Sequence, residues 1–208
     1  MGDRQRSTPT SDIKSRPDYG VLQPILHGDK NLVIAEGIGI HAVLRMYGEA
    51  PADFAGRSTL LYAETGSSAN HELECLRVLG LKDIDVVPEA DEALRYLERL
   101  LDQATMGTNL YTTGGESFIG QVVRLAIDHR LHHTSIVTEL SGSLARRVQC
   151  VHCKYTAVGI TQSIYECPGC GLSVFVRDHY SRRLAAFQAV CVNAEDPNEL
   201  IEAQEAYR

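Results

Sequence analysis

Short apolar runs alternate with amphipathic segments over the first two thirds of the chain. Five of the runs lack the polar–apolar alternation of a half-exposed strand, so they predict strands of a parallel sheet that is buried on both faces. Apolar residues at helical spacing fill the intervals between them and predict helices. The predicted strands are 31–35, 59–63, 83–87, 109–112 and 135–138. The pattern therefore predicts a three-layer α/β domain over about residues 30–140.

Two glycine turns fall at the ends of predicted strands. Gly37 and Gly39 follow the first strand, and Gly114 and Gly115 follow the fourth. In open α/β sheets, ligands bind beyond the carboxyl ends of the strands near the switch point of strand order. Glycines there let backbone N–H groups approach a phosphate at a helix N-terminus. These four residues are the candidate nucleotide-binding positions.

Two C-x-x-C motifs stand in the last third of the chain, with thirteen residues between them. Their members, Cys150, Cys153, Cys167 and Cys170, have the spacing of a tetrahedral four-thiolate metal site. The intervening segment is rich in strand formers and predicts a hairpin, so the module is interpreted as a zinc ribbon. With four cysteine ligands a zinc ion would be closed to water and would act structurally. A single iron, which would make the site an electron carrier, remains an alternative to zinc. As a ligand, His152 remains an alternative to one of the cysteines.

These patterns divide the chain into four segments. Residues 1–18 are rich in Ser, Thr, Pro, Asp and Arg and are expected to be disordered. Residues 19–143 are the α/β domain, and 144–192 are the zinc ribbon, in which 178–189 is read as either a helix or a returning strand. Residues 193–208 are an acidic tail, expected to be a solvated or partner-facing arm.

Composition limits the possible partners. The chain has 208 residues, 44% of them hydrophobic, and a formal net charge of −7, which argues against nucleic acid as a general partner. The ribbon alone is mildly basic, which fits an acidic protein as well as RNA. The chain has no apolar run of membrane-spanning length and no secretory signal in its first sixteen residues, so we expect a cytoplasmic protein without a membrane partner.

Other residues with catalytic or ligand chemistry give weaker signals. His129, His132 and His133 lie close together in sequence, but adjacent histidines at a helix end point in different directions. Asp178, His179 and Ser181 contain the residue types of a hydrolytic triad without a glycine elbow or an oxyanion loop. Arg182 and Arg183 are interpreted as a salt-bridging face or a docking patch.

The glycine turns resemble those in the nicotinamide-binding half of ferredoxin–NADP reductase-like flavoproteins, particularly the phthalate dioxygenase reductase group. The resemblance rests on 35–42 (AEGIGIHA), on 113–115 (TGG) and on Phe118. It implies that Gly37, Gly39, Gly114 and Gly115 would hold a dinucleotide such as NADPH.

The departures from this group point to a degenerate site. Glu36 replaces a glycine of the first turn and Glu116 stands at the second, where each carboxylate would cost on the order of 1–4 kcal/mol beside a phosphate. No arginine follows the second strand to meet a 2′-phosphate, although Glu64 could accept a ribose hydroxyl of NADH. Only thirty residues precede the first strand, too few for a flavin-holding barrel.

The order of the segments, together with 176–187 (VRDHYSRRLAAF), resembles the DmmA-type subunits of bacterial dimethylamine monooxygenases. This resemblance implies a non-catalytic subunit, scaffolding or supporting electron transfer, of a multicomponent NADPH-dependent enzyme that converts dimethylamine to methylamine and formaldehyde. Haem, flavin and iron–sulfur cofactors would lie on partner subunits. The alternative is a zinc-ribbon adaptor that binds RNA or a protein partner outside redox metabolism.

Overall fold

The computed structural model describes residues 15–66, 68–192, 194 and 202–208. These residues form two compact units. The α/β unit comprises Asp18–Leu144, and the cysteine unit comprises the described residues of 1–17 and 145–208. Most of the segment expected to be disordered, residues 1–14, lies outside the described residues. No helix in the described ranges is long and apolar enough to cross a membrane.

A parallel five-stranded sheet forms the centre of the α/β unit, in the order β3-β2-β1-β4-β5. Each of the five predicted strands is present, within a few residues of its predicted bounds. The strands are β1 (Lys30–Glu36), β2 (Ser58–Ala63), β3 (Asp83–Val87), β4 (Thr108–Gly114) and β5 (Ile136–Leu140). The helices are α1 (Ile40–Glu49), α2 (Asn70–Val78), α3 (Ala90–Leu101) and α4 (Glu116–Asp128). The predicted parallel α/β architecture is confirmed.

Both faces of this sheet are buried, as the unbroken apolar strands require. Val33 packs in a cluster with Met46 of α1 and Leu76 of α2. The next residue, Ile34, points to the other face and packs with Leu97 of α3 and, in the same cluster, residues of α4. The strand order reverses between β1 and β4, so the carboxyl ends of these two neighbours mark the switch point.

The cysteine unit is built on a second five-stranded sheet, in the order β7-β6-β10-β9-β8. The segment 178–189, which the sequence left open between helix and strand, contributes to β9 and β10 and the turn between them. The strands of this sheet are β6 (Arg146–Cys150), β7 (Thr156–Ile160), β8 (Ile164–Glu166), β9 (Ser173–Ser181) and β10 (Ala186–Cys191). The buried core is small and includes Cys150 and Cys167 beside Val148, Val176 and Phe187. A core of this size needs a further source of stability, such as a metal.

The last described residues, 202–208, lie along the cysteine unit as a strap. The N–H groups of Ala206 and Tyr207 both donate to the carbonyl oxygen of Thr161, each at 2.9 Å. The Tyr207 ring lies 3.8 Å from the guanidinium of Arg146, and the Phe187 ring lies at the same distance. This part of the acidic tail is therefore hydrogen-bonded along the sheet, with the Tyr207 ring packed on it and the other side chains of 202–208 exposed.

Candidate functional site

The four cysteines of the two C-x-x-C motifs converge on one point. Their Sγ atoms all lie within 4.8 Å of one another. The Sγ atoms of Cys150 and Cys170 are 3.9 Å apart, and those of Cys153 and Cys167 are 3.6 Å apart. A tetrahedral zinc with Zn–S bonds of about 2.3 Å requires sulfur separations of about 3.8 Å. The residues thus fit a closed four-thiolate metal site, and His152 is exposed outside this group.

Two matching turns place these sulfurs. The Lys154 N–H donates to the carbonyl oxygen of Cys150 at 2.9 Å, and the Gly171 N–H donates to that of Cys167 at 2.8 Å. Lys154 and Gly171 both adopt left-handed backbone angles, with φ of 66° and 70°. Each C-x-x-C therefore closes with the same reversal, which aims both of its thiols to one side.

Gly169 lets the two turns approach each other. A Cβ atom at this position would stand 2.7 Å from the Cβ of Tyr155 and 3.0 Å from the Sγ of Cys153. Both separations are shorter than packed carbon and sulfur atoms tolerate, so a side chain here would push the two halves of the site apart.

Backbone N–H groups and the neighbouring thiols give the cysteines different acidities. Burial alone would raise the pKa of the Cys167 thiol, but hydrogen bonds, with the Gly169 N–H the leading donor, lower it to about 7. The Leu172 N–H lowers the pKa of the Cys170 thiol, yet burial and the adjacent thiols raise it to about 12. Four thiolates so close together repel one another, so full ionisation requires a cation among them.

The four predicted glycines meet at the switch point of the α/β unit. A Cβ atom on Gly39 would stand 3.0 Å from Cγ2 of Thr113, the residue immediately before Gly114. This contact places the first glycine turn directly against the second. The first turn borders a small cavity of about 110 Å³, whose polar lining includes His41, Thr65 and Glu72.

The second glycine turn is closed by the chain itself. The Gly115 N–H, at the start of α4, donates to Oε2 of Glu36 at 3.0 Å. The next N–H, that of Glu116, donates to the carbonyl oxygen of Ser143 at 2.9 Å. Gly142 packs so closely that a Cβ atom on it would stand 2.7 Å from the Gly115 nitrogen. The first two N–H groups at this helix end, which could otherwise meet a phosphate, are therefore bonded within the chain.

Burial also changes the acidity of the closing carboxylate. Desolvation raises the pKa of Glu36, and the hydrogen bond from the Gly115 N–H offsets part of that increase. The sequence placed Glu36 in the first turn, as bulk and negative charge beside the phosphates. It missed the direct hydrogen bond and the contribution of Ser143, because these depend on contacts between distant parts of the chain.

Three of the remaining candidates, Glu64, His129 and Asp178, are held in ordinary structural contacts. Glu64, a possible ribose partner, accepts a hydrogen bond from the Ala69 N–H at 3.1 Å before α2. His129 lies 3.4 Å from the carboxylate of Asp102. Asp178 accepts from Arg146 at 2.9 Å and also pairs with Arg16. Over the described ranges, the four cysteines are the one group of three or more potential ligands gathered closely enough for a metal.

Family comparison matches most of the chain in two parts. Residues 11–136 match the model "Dimethylamine monooxygenase subunit DmmA-like, N-terminal domain". Residues 147–190 match the corresponding C-terminal domain. The first match covers most of the predicted α/β domain, and the second contains all four cysteines.

A curated relative is the heme-dependent oxidative N-demethylase delta subunit of Ectopseudomonas mendocina (strain ymp). It is 31% identical over 110 residues, which make up 53% of this chain and 63% of the relative. The match thus spans slightly less than two thirds of the relative's length.

Two solved structures share a weaker likeness. Full-length CYP116B46 from Tepidiphilus thermophilus has a TM-score of 0.42 and 20% identity, covering 64% of this chain and 18% of that chain. Flavohemoglobin from Malassezia yamatoensis has a TM-score of 0.39 and 15% identity, covering 54% of this chain and 32% of that chain.

Proposed function

Since the chain belongs to the dimethylamine monooxygenase subunit DmmA-like family, we propose that it is a non-catalytic subunit of a multicomponent N-demethylase. The enzyme would be NADPH-dependent and would convert dimethylamine to methylamine and formaldehyde. The name of the curated relative, a delta subunit of a heme-dependent oxidative N-demethylase, supports this assignment. The role of the chain would be scaffolding or support of electron transfer, and haem, flavin and iron–sulfur cofactors would be carried by other subunits.

The observation that carries the non-catalytic role is the closed character of the cysteine site. We assign a zinc ion to Cys150, Cys153, Cys167 and Cys170, whose sulfur separations suit it. Four thiolate ligands complete a tetrahedral zinc and leave no position for water or substrate. Bound there, the ion would supply folding energy to a unit with a small core.

The second glycine turn supports the same role for the α/β unit. Its first two N–H groups are bonded to Glu36 and to Ser143. A dinucleotide would have to displace both partners before its phosphates reached the N-terminus of α4. NADPH oxidation is therefore assigned to a different subunit, and Gly37, Gly39, Gly114 and Gly115 are assigned to a remnant of a nucleotide site.

The test is reconstitution from the source organism. The purified, zinc-loaded chain alone should neither oxidise NADPH nor release formaldehyde from dimethylamine, whereas co-expression with the other N-demethylase components should yield a coloured complex that does both. Omission of this chain should lower the activity or the assembly of that complex. Turnover by the isolated chain, or an unchanged complex without it, contradicts the proposal.

A further inference from the structure

The turn between β9 and β10 presents two adjacent arginines to solvent. Arg182 and Arg183 are exposed, while the following Leu184 is half-buried and Ala185 is buried. The Leu184 N–H donates to the carbonyl oxygen of Ser181 at 3.2 Å, and the Ala185 N–H donates to that of Arg182 at 3.3 Å. The apolar half of the turn is thus anchored, and the cationic half projects outward.

Arg147 of strand β6, which pairs with β10, hydrogen-bonds to this turn and holds it in place. Its Nη1 donates to the carbonyl oxygens of both Leu184 and Ala185, the latter at 3.3 Å. Ala185 adopts a left-handed φ of 47°, which an alanine keeps only where its surroundings impose it. The turn is therefore held in one shape before any partner arrives, which lowers the entropy cost of binding.

The positive charge of the turn is not neutralised within the described residues. In those ranges neither Arg182 nor Arg183 has a carboxylate oxygen within 4.0 Å of its guanidinium. Asp178, the acidic residue of β9, already pairs with Arg146 and Arg16. Within the described residues, these two guanidinium groups have no carboxylate partner and form a local cationic patch on a chain whose formal net charge is −7.

We propose that the Arg182–Arg183 turn docks an acidic segment of a partner subunit. This inference rests on the proposed function, because it names the surface through which the chain would join the N-demethylase. Guanidinium groups pair with carboxylates through two parallel hydrogen bonds, so two of them on a rigid turn recognise closely spaced Asp or Glu side chains. Single-stranded nucleic acid would call for a longer basic groove with aromatic stacking platforms.

Charge reversal at the turn tests the surface. Tagged full-length chain is co-expressed with the other N-demethylase components, and the haem absorbance retained per tagged chain is measured at low and moderate salt. We expect R182E/R183E to lower the retained haem at least tenfold, with R182K/R183K losing much less. The matched control, K82E/R95E, makes the same change of net charge at exposed positions of the α/β unit and should retain haem. Zinc content should stay constant in all variants.

The outcomes separate the docking surface from the proposed function. If wild type and R182E/R183E retain haem equally, or if K82E/R95E loses as much, the surface is wrong while the function stands. If wild type retains no haem, the proposed function fails. Binding to poly-L-glutamate then tests whether the turn still binds acidic side chains. Binding by wild type and not by R182E/R183E supports the patch, and equal binding overturns it. Arginine-dependent binding of a single-stranded RNA without binding of poly-L-glutamate also overturns it.

Discussion

The cysteine site and the second glycine turn are both closed, but they are closed by different means. At the cysteine site, four groups of the same kind lie within 4.8 Å and repel one another once ionised, so a cation must come from outside. At the glycine turn, the N–H donors are satisfied by Glu36 and Ser143 of the same chain. The comparison teaches that gathered polar groups can require a cation from outside the chain or can satisfy one another within it.

The largest expected effect is loss of the cysteine unit in Cys167→Ser. Removing one thiolate leaves the ion with three ligands, and binding of a structural zinc is worth about 10–16 kcal/mol in small modules. We expect loss of the stoichiometric metal and unfolding of the cysteine unit, measured by elemental analysis and by hydrogen exchange of β6–β10. Cys75→Ser, at a thiol of α2 outside the site, is the control and should keep both.

Elemental analysis and visible spectroscopy of the wild type decide which metal is bound. We expect one zinc per chain and no visible absorption, because the filled d shell of zinc allows no d–d transitions. Stoichiometric iron, with a thiolate-to-iron band in the visible spectrum, would replace the structural interpretation by an electron-carrying one. The comparison would then change in kind, since the cysteine site would be functional in its own right.

Gly169→Ala tests how tightly the two cysteine turns must approach. The new methyl group would stand 2.7 Å from the Cβ of Tyr155, and overpacking of this kind costs roughly 1–3 kcal/mol. We expect faster zinc loss to a chelator and a lower melting temperature. Gly56→Ala is the matched control, because a Cβ atom there meets nothing within 4 Å. Equal zinc retention by the two variants would show that the close approach does not matter.

Glu36→Gly tests whether the glycine turn is closed by its carboxylate. The change frees the Gly115 N–H and removes a negative charge, so binding of NADPH and NADH should tighten by about 1 kcal/mol or more, roughly fivefold in Kd. The gain should shrink at higher salt, because screening weakens the repulsion that was removed. Titration calorimetry of both proteins measures it.

Two results would contradict this view of the turn. Tight NADPH binding by the wild type, with no gain in the variant, would make the chain the entry point of the pyridine nucleotide. If neither protein binds a nucleotide, the turn is kept closed by the hydrogen bond from the Glu116 N–H to Ser143 and not by the Glu36 carboxylate.

The smallest effect concerns the pH dependence of Glu36→Gln. The folded-state pKa of Glu36 is raised above its ordinary value of 4.5 by burial, so its contribution to stability is present at low pH and is lost as pH rises through the folded pKa. The variant has no such loss. Relative to wild type it should therefore gain stability as pH rises from about 4.5 to about 7.5. Urea unfolding at both pH values measures this, and a difference that does not vary with pH speaks against a raised pKa.

Local patterns in the sequence predicted the elements whose causes are local. The run 59–63 became the buried strand β2 because every residue of it is apolar or small, and the spacing of the cysteines placed all four sulfurs at one point. The segment 178–189 was ambiguous because its apolar residues fit both helical and strand spacing. Only its pairing with β6 and with the rest of β9 selects the strand.

Contacts between distant residues were beyond the reach of the sequence. The closure of the second glycine turn joins Glu36 to Gly115, and the strap joins Tyr207 to Arg146. The sequence identified Glu36 only as a charge at the first turn and the tail only as an acidic arm, because neither contact follows from composition. A glycine at 142 was the one local sign that a backbone approaches closely there.

The strap also determines how late during synthesis the cysteine unit can finish folding. The α/β unit ends at Leu144 and holds its own core, so it can fold while later residues are still being added. Arg146 is made immediately afterwards, yet its aromatic cover from Tyr207 is among the last of the described residues to be made. We expect the cysteine unit to stay incomplete on the ribosome throughout that interval, dependent on early capture of its metal to avoid misfolding.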